Sequence, residues 1–218
     1  MGRRFADRRD AGRRLAAALR DDAAVREPVV VLGLPRGGVV VAAEVAAALG
    51  APLDVVLVRK LGLPEQPELA MGAIAAAGDA VETVRTIVAA RAGEVAFDAV
   101  RERELAELGR RERTYRAGHE PVPLSGRTVV LVDDGLATGA TMRAAIAAVA
   151  RQGPASLVVA VPVGSPRVCA ELQPDVDRVV CLEAPAFFRA VGQVYRDFSA
   201  TEDDEVIAAL ESARARTA

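Results

Sequence analysis

The sequence predicts an open, largely parallel β-sheet covered by helices, and three observations carry that expectation. Short apolar runs alternate with helical patterns along the chain, the order that builds parallel βαβ units. The runs are continuous rather than alternating, as strands buried on both faces require. Half the residues, 51%, are apolar while only 3% are aromatic, so the core has to be built from Ala, Val and Leu, which suits close packing of helices on a sheet. At 218 residues the chain is long enough for one well-buried domain with a small appended lobe.

The elements follow in order. Residues 5–20 read as an amphipathic helix, with Asp7 as N-cap and Leu15 and Leu19 on one face. Pro28 introduces Val29–Leu34, a candidate central strand, and the loop Pro35-Arg36-Gly37-Gly38 leads into an Ala-rich helix, Val39–Leu49, stopped by Gly50. Leu53–Val58 is a second buried strand. Within Gly62–Gly78, Pro64, Pro67 and Gly72 discourage a helix; together with Val81–Val84 this stretch is expected to form a hairpin or a mobile flap. Residues 86–116 form a long helical pattern whose mixed Arg and Glu residues fit a solvated face with intrahelical pairs, an RNA-binding face being the alternative. A linker around Gly118–Gly126 precedes a strand at Thr128–Val132, a loop at Asp133–Thr138 and a helix at Gly139–Gln152. Two more strands, Leu157–Val161 and Arg178–Leu182, flank a short helix near Arg167–Leu172, and 202–216 is a terminal helix.

Composition excludes several classes of function. A net charge of −2 carries no nucleic-acid footprint. No apolar run reaches the ~18 residues that span a bilayer, and the charged start Met1-Gly2-Arg3-Arg4-Phe5 has no signal-peptide core behind it, so a soluble, cytoplasmic protein is expected. Cys169 and Cys181 lack metal-ligand spacing and are expected to be reduced and buried. His119 is the single histidine, which leaves no zinc cluster and no Ser-His-Asp set. Of 28 basic residues only Lys60 is lysine; against an arginine background it marks a candidate site for a compact ammonium.

The unit that carries chemistry is Val129-Val130-Leu131-Val132-Asp133-Asp134-Gly135-Leu136-Ala137-Thr138-Gly139-Ala140-Thr141. An apolar strand delivers two adjacent carboxylates to its C-terminal edge, where open α/β sheets place ligands. A turn of small residues then opens a helix, whose unpaired N–H groups and partial positive charge favour a phosphate. Thr138 and Thr141 add hydroxyl donors. Carboxylates beside a phosphate cradle suit a ribose phosphate, with the diol on the acids and the 5′-phosphate on the N–H groups. No Lys follows the glycines, so this is not a Walker loop, and the dinucleotide fingerprint is missing.

Residues 129–141 resemble the binding signature of type I phosphoribosyltransferases, and the element order over about 28–185 resembles their core. The resemblance implies a Rossmann-like parallel sheet with a small hood, formed here by the N-terminal helix and 185–216, and a flap at about 62–84. It implies that Asp133 and Asp134 hold the ribose hydroxyls of 5-phosphoribosyl 1-pyrophosphate (PRPP), with Mg²⁺ bound through ligand and water rather than directly. Ala137, Thr138, Gly139, Ala140 and Thr141 would wrap the 5′-phosphate. Pro35-Arg36-Gly37-Gly38 resembles the family's pyrophosphate loop, which implies a cis peptide bond between Pro35 and Arg36. Val58–Pro64 is similar to the Arg-Lys turn of adenine phosphoribosyltransferases, placing Arg59 and Lys60 beside pyrophosphate.

By this resemblance a nitrogen nucleophile displaces pyrophosphate at C1 of the ribose while Arg36, Arg59 and Lys60 offset the departing charge. The acceptor is left open. Ala137 stands where 6-oxopurine enzymes carry Asp, and Ala160-Val161-Pro162 is apolar where they carry Lys. Leu136–Gly139 is similar to the adenine-type signature, but that family's Glu-Tyr pair is absent around Leu69–Ala73. Phe187, Phe188, Tyr195 and Phe198 are candidates for stacking on a base or for packing a C-terminal lobe. Self-association into a homodimer or larger homo-oligomer is implied by the family alone. The alternatives are a non-catalytic PRPP sensor and, more remotely, a phosphatase with Asp133 as nucleophile, whose Asp-x-Asp spacing is missing.

Overall fold

A five-stranded parallel sheet in the order β2-β1-β6-β7-β8 forms the centre of the computed structural model, which describes residues 5–66, 70–77, 80–85, 89 and 93–217. Its strands are β1 (Val29–Gly33), β2 (Leu53–Val55), β6 (Thr128–Val132), β7 (Ser156–Val163) and β8 (Arg178–Glu183). Strands β3 (Leu57–Gly62), β4 (Ala70–Ala77) and β5 (Ala80–Arg85) make a second, antiparallel sheet. The helices are α1 (Arg8–Arg20), α2 (Gly37–Leu49), α3 (Glu94–Arg116), α4 (Ala140–Ala150), α5 (Pro166–Leu172) and α6 (Asp203–Thr217). None of them is long and apolar enough to cross a membrane among the described residues.

The continuous apolar runs are explained by cores on both faces. Val29, Val31, Val130, Val132, Val158 and Ala160 point to one face, under α1, α2 and α6. Val30, Leu32, Val129, Leu131, Val159 and Val161 point to the other, under α4 and α5. Successive side chains of a strand alternate between faces, so a strand covered on both sides is apolar throughout. The strand order reverses between β1 and β6, and the register there pairs Gly33 with Val132, the last residue of each strand. Two loops therefore leave adjacent strands at one edge and diverge, which opens a crevice at the switch point.

One expectation changes and another narrows. The anticipated strand Leu53–Val58 is two strands in different sheets. Val56 still donates to the Gly33 carbonyl at 3.2 Å, but β1 ends there, and from Leu57 the backbone takes β4 as its hydrogen-bonding partner. Arg59 and Lys60 consequently lie in a strand, not a turn. The stretch expected as a hairpin or a mobile flap is a hairpin where it is described. Met71, Ile74, Ala75 and Ala77 are fully buried, with Met71 and Ile74 in one core and Ala75 and Ala77 in the other. Alanines allow this sheet to be covered from both sides at close range. Pro67 and Leu69 lie outside the described residues.

The two ends of the chain meet. Helix α1 begins at Arg8 rather than at Phe5, capped by Asp7, whose carboxylate accepts from the Asp10 N–H at 2.7 Å. Phe5 pairs instead with the segment ahead of α6: its N–H donates to the Val194 carbonyl and its carbonyl accepts from Arg196, both at 2.8 Å. This places the start of α1 and residues 194–199 together over the carboxyl edge of the sheet.

Candidate active site

The loops after β1 and β6 meet face to face. The Leu34 N–H donates to the Val132 carbonyl at 2.9 Å, tying the start of one loop to the base of the other. The peptide bond between Pro35 and Arg36 is cis. Beyond it the chain presses on the acid pair. A side chain at Gly37 would meet Asp134 Oδ2 at 2.1 Å, and one at Gly38 would meet Asp133 Oδ1 at 2.9 Å. Only glycine permits that approach.

Both acids are poorly solvated. Asp133 is half-buried and Asp134 retains 17% side-chain exposure. Loss of water, followed by the negative charge of Asp134, pushes the Asp133 carboxyl well above the usual carboxylate range, against a hydrogen bond from the Asp134 N–H at 2.8 Å. Burial raises Asp134 as well, while Arg8 opposes the rise. Arg8 donates from Nε to Asp134 Oδ2 at 2.8 Å and from Nη1 to the Ser199 carbonyl at 2.7 Å, and it lies 4.0 Å above the Phe198 ring. The pair is thus a concentrated negative site, partly compensated by a guanidinium from the other end of the chain.

The segment after the acids is open. The Leu136 N–H donates to Val163 and its carbonyl accepts from Ser165, both at 2.9 Å, so one residue is pinned to the end of β7. Ala137, Thr138 and Ala140 are exposed, and Thr141 is half-buried. Gly139 takes φ +76° at the N-cap of α4, and the Arg143 N–H is the one that returns to its carbonyl at 2.9 Å. The N–H groups before Arg143 belong to the first turn and have no intrahelical acceptor.

The remaining expected residues are distributed unevenly. Arg36 is the N-cap of α2, with its side chain 44% exposed and loose contacts to Glu202 at 3.4 Å and Asp203 at 4.0 Å. Arg59 is instead bound to α3: its Nη2 lies 2.6 Å and its Nε 2.8 Å from the Glu104 carboxylate, which is nearly buried. Lys60 is exposed on β3. Neither residue contacts the acid pair. Phe187 is 89% exposed and Phe188 half-buried. Tyr195 is buried between Phe5 and Phe198, and its hydroxyl donates to the Asp134 carbonyl at 2.6 Å, so it braces the loop instead of offering a free ring face. Arg8 and the hydroxyl of Tyr195 escape sequence reasoning because their partner lies 126 and 61 residues away, and no local pattern records the contact.

The acid pair and the open helix start lie together at the switch point of a parallel α/β sheet. The chain belongs to the phosphoribosyl transferase domain family, whose model matches residues 6–199. It is 50% identical over 209 residues to a Mycobacterium tuberculosis protein named "Putative phosphoribosyl transferase", in two strains; the match covers 96% of this chain and 47% of that protein, so the chain spans about half the length of these relatives. The crystal structure of TT1426 from Thermus thermophilus superposes with a TM-score of 0.82 at 47% identity, covering 96% of this chain and 98% of that one. A Neisseria gonorrhoeae protein solved with bound ppGpp shares the fold, with a TM-score of 0.51 at 16% identity over 94% of this chain and 92% of its own.

Proposed function

We propose that the protein transfers the 5-phosphoribosyl group of PRPP to a nitrogenous acceptor with release of pyrophosphate. The observation that carries this reading is the convergence of two glycine-bearing loops on one acid pair at the switch point. Asp133 and Asp134 accept the ribose hydroxyls, and the N–H groups of Ala137–Thr141, with the Thr138 and Thr141 hydroxyls, hold the 5′-phosphate. Pro35–Gly38 presents N–H donors to the pyrophosphate, with Arg36 as the cation the loop itself carries. Because Arg59 is held by Glu104, the leaving-group charge falls chiefly to Arg36, and Lys60 serves only if β3 lies along the pyrophosphate.

The acid pair offers two carboxylates, and no cluster of three potential metal ligands occurs among the described residues. That donor set fits Mg²⁺, which keeps water and substrate oxygens in its shell. Bound in that way, the ion would neutralise pyrophosphate oxygens. The chain's own contribution is orientation and charge: the acids fix the sugar ring, and the loop amides fix its phosphate, so C1 faces the acceptor. Phe187, exposed beyond β8, is the aromatic surface best placed to receive a flat base. We further propose that the chain works as one domain, cytoplasmic and self-associating, with α1 and 185–216 as its hood.

The second reading, a PRPP sensor without turnover, draws support from the occupied Arg59. Pyrophosphate release from PRPP across a panel of bases separates the two. One base should elicit release, and Asp133→Asn with Asp134→Asn should reduce it about 10²–10³-fold. Donor binding without release from any base would favour the sensor; no donor binding would overturn both.

A further inference from the structure

Cys169 and Cys181 lie apart in sequence, on α5 and β8, and take no part in the chemistry above. In the fold they are free, half-buried thiols that face each other across Gly164. A Cβ on Gly164 would sit 2.6 Å from Cys169 Sγ and 3.2 Å from Cys181 Sγ, so both sulfurs occupy the space over one α-carbon. The Cys181 thiol is directed at the Glu183 carbonyl, 3.2 Å away, and the Cys169 thiol is its neighbour over Gly164. That contact holds the Cys169 thiol below its ordinary range, while the same contact and then burial push Cys181 up. A thiolate and a neighbouring protonated thiol are the nucleophile and resolving group that thiol–disulfide exchange requires.

The pair also lies directly behind the phosphate loop. Val168, the residue before Cys169, fills the space where a Gly139 side chain would be, with Cγ1 2.5 Å from that position. Gly164 is flanked by the two residues that pin Leu136, and its own N–H donates to the Glu183 carbonyl at 3.0 Å. Helix α5 and the end of β7, itself tied through Gly164 to the end of β8, thus support both ends of residues 136–139.

We propose that Cys169 and Cys181 form a reversible disulfide on reaction with a low-molecular-weight disulfide, and that this oxidation weakens the hold of the adjoining loop on a phosphate ligand. The ligand half of this inference rests on the reading under Proposed function. The Cys169 thiolate attacks one sulfur of the reagent, forming a mixed disulfide and expelling one thiolate. Cys181 then gives up its proton to that thiolate and attacks the Cys169 sulfur, expelling the second. Two cysteine sulfurs are oxidised to a disulfide and one reagent disulfide is reduced to two thiols. A sulfur–sulfur bond of about 2.05 Å is shorter than any thiol contact, so closure draws α5 toward β8 and Val168 across Gly139.

The test treats the intact chain with oxidised glutathione and reads three quantities. Mass spectrometry should show a Cys169–Cys181 bond, with two hydrogens lost and no glutathione retained. Amide exchange in 136–143 should change on oxidation and revert with dithiothreitol. PRPP affinity should fall about tenfold and recover on reduction, whereas the double variant Cys169→Ala/Cys181→Ala should keep the affinity of the reduced protein and ignore the oxidant, and Cys181→Ala alone should stop at the mixed disulfide. In the unmutated chain, a stable mixed disulfide, no reaction, or a bond that leaves exchange in 136–143 unchanged would overturn the proposal. Because mass and exchange are read without PRPP, failure of the donor to bind would count against the transferase reading alone; altered exchange with unchanged affinity would refute the regulatory step.

Discussion

The loop after β6 and the hairpin that follows β2 both leave the carboxyl side of the sheet, and both carry charged residues among small ones. They manage those charges in opposite ways. Asp133 and Asp134 sit side by side with little water, compensated only in part by Arg8, and Ala137, Thr138 and Ala140 beyond them are exposed. Arg59 is paired at 2.6 Å with Glu104, in a sheet whose central strand β4 is built from buried alanines, Met71 and Ile74. A site holds charge in an uncompensated state that a ligand can relieve, whereas a scaffold cancels it internally. On the proposed reading, binding belongs to the acid pair and support to the hairpin.

Breaking the support gives the larger change in stability. Glu104→Gln removes the charge facing Arg59 while keeping the side-chain volume. It should destabilise the protein by ~1–3 kcal/mol, seen as a lowered Tm, with PRPP affinity shifted less than about twofold. Tighter pyrophosphate binding in this variant would show that Arg59 belongs to the site after all.

Asp133→Asn should act in the reverse direction. The raised Asp133 carboxyl means the folded state holds more protons than the unfolded state from the ordinary carboxylate range, near 3.8, up to the folded value. Wild-type stability therefore falls as pH rises through that window. Asparagine keeps an acceptor for the Asp134 N–H but carries no charge, so the variant should be more stable at pH 7 by about 0.5–2 kcal/mol while losing activity. The gain should vanish as pH drops below about 4. Thermal melts across pH would check this; equal Tm values at pH 7 would mean the pair is not strained.

The sheet was legible because parallel strands buried on both faces must be apolar throughout, and Val29–Leu34 and Val129–Val132 show that pattern without ambiguity. The acid pair and the glycine loop were legible for the same local reason, each being written in consecutive residues, while the cis bond at Pro35–Arg36 followed from the family resemblance of that loop. What depended on distant partners was not. Val56 reads as strand interior, and only the end of β1 makes it a break. Alanine-rich 70–77 looks mobile until α3 and α4 cover it. Tyr195 reads as a base platform, yet Phe5 and Phe198 enclose it and Asp134 takes its hydroxyl. Arg8 carries no signal at all, because a salt bridge across 126 residues leaves no trace in spacing.

The measurement that bears most directly on the assignment is a crystal structure with PRPP and Mg²⁺. It should place the 5′-phosphate within ~3 Å of the N–H groups of Ala137–Thr141, with the ribose hydroxyls on Asp133 and Asp134 and the pyrophosphate against Gly37 and Gly38. Donor density elsewhere on the protein, or an Arg8–Asp134 bridge left intact with the crevice closed at saturating PRPP, would contradict it.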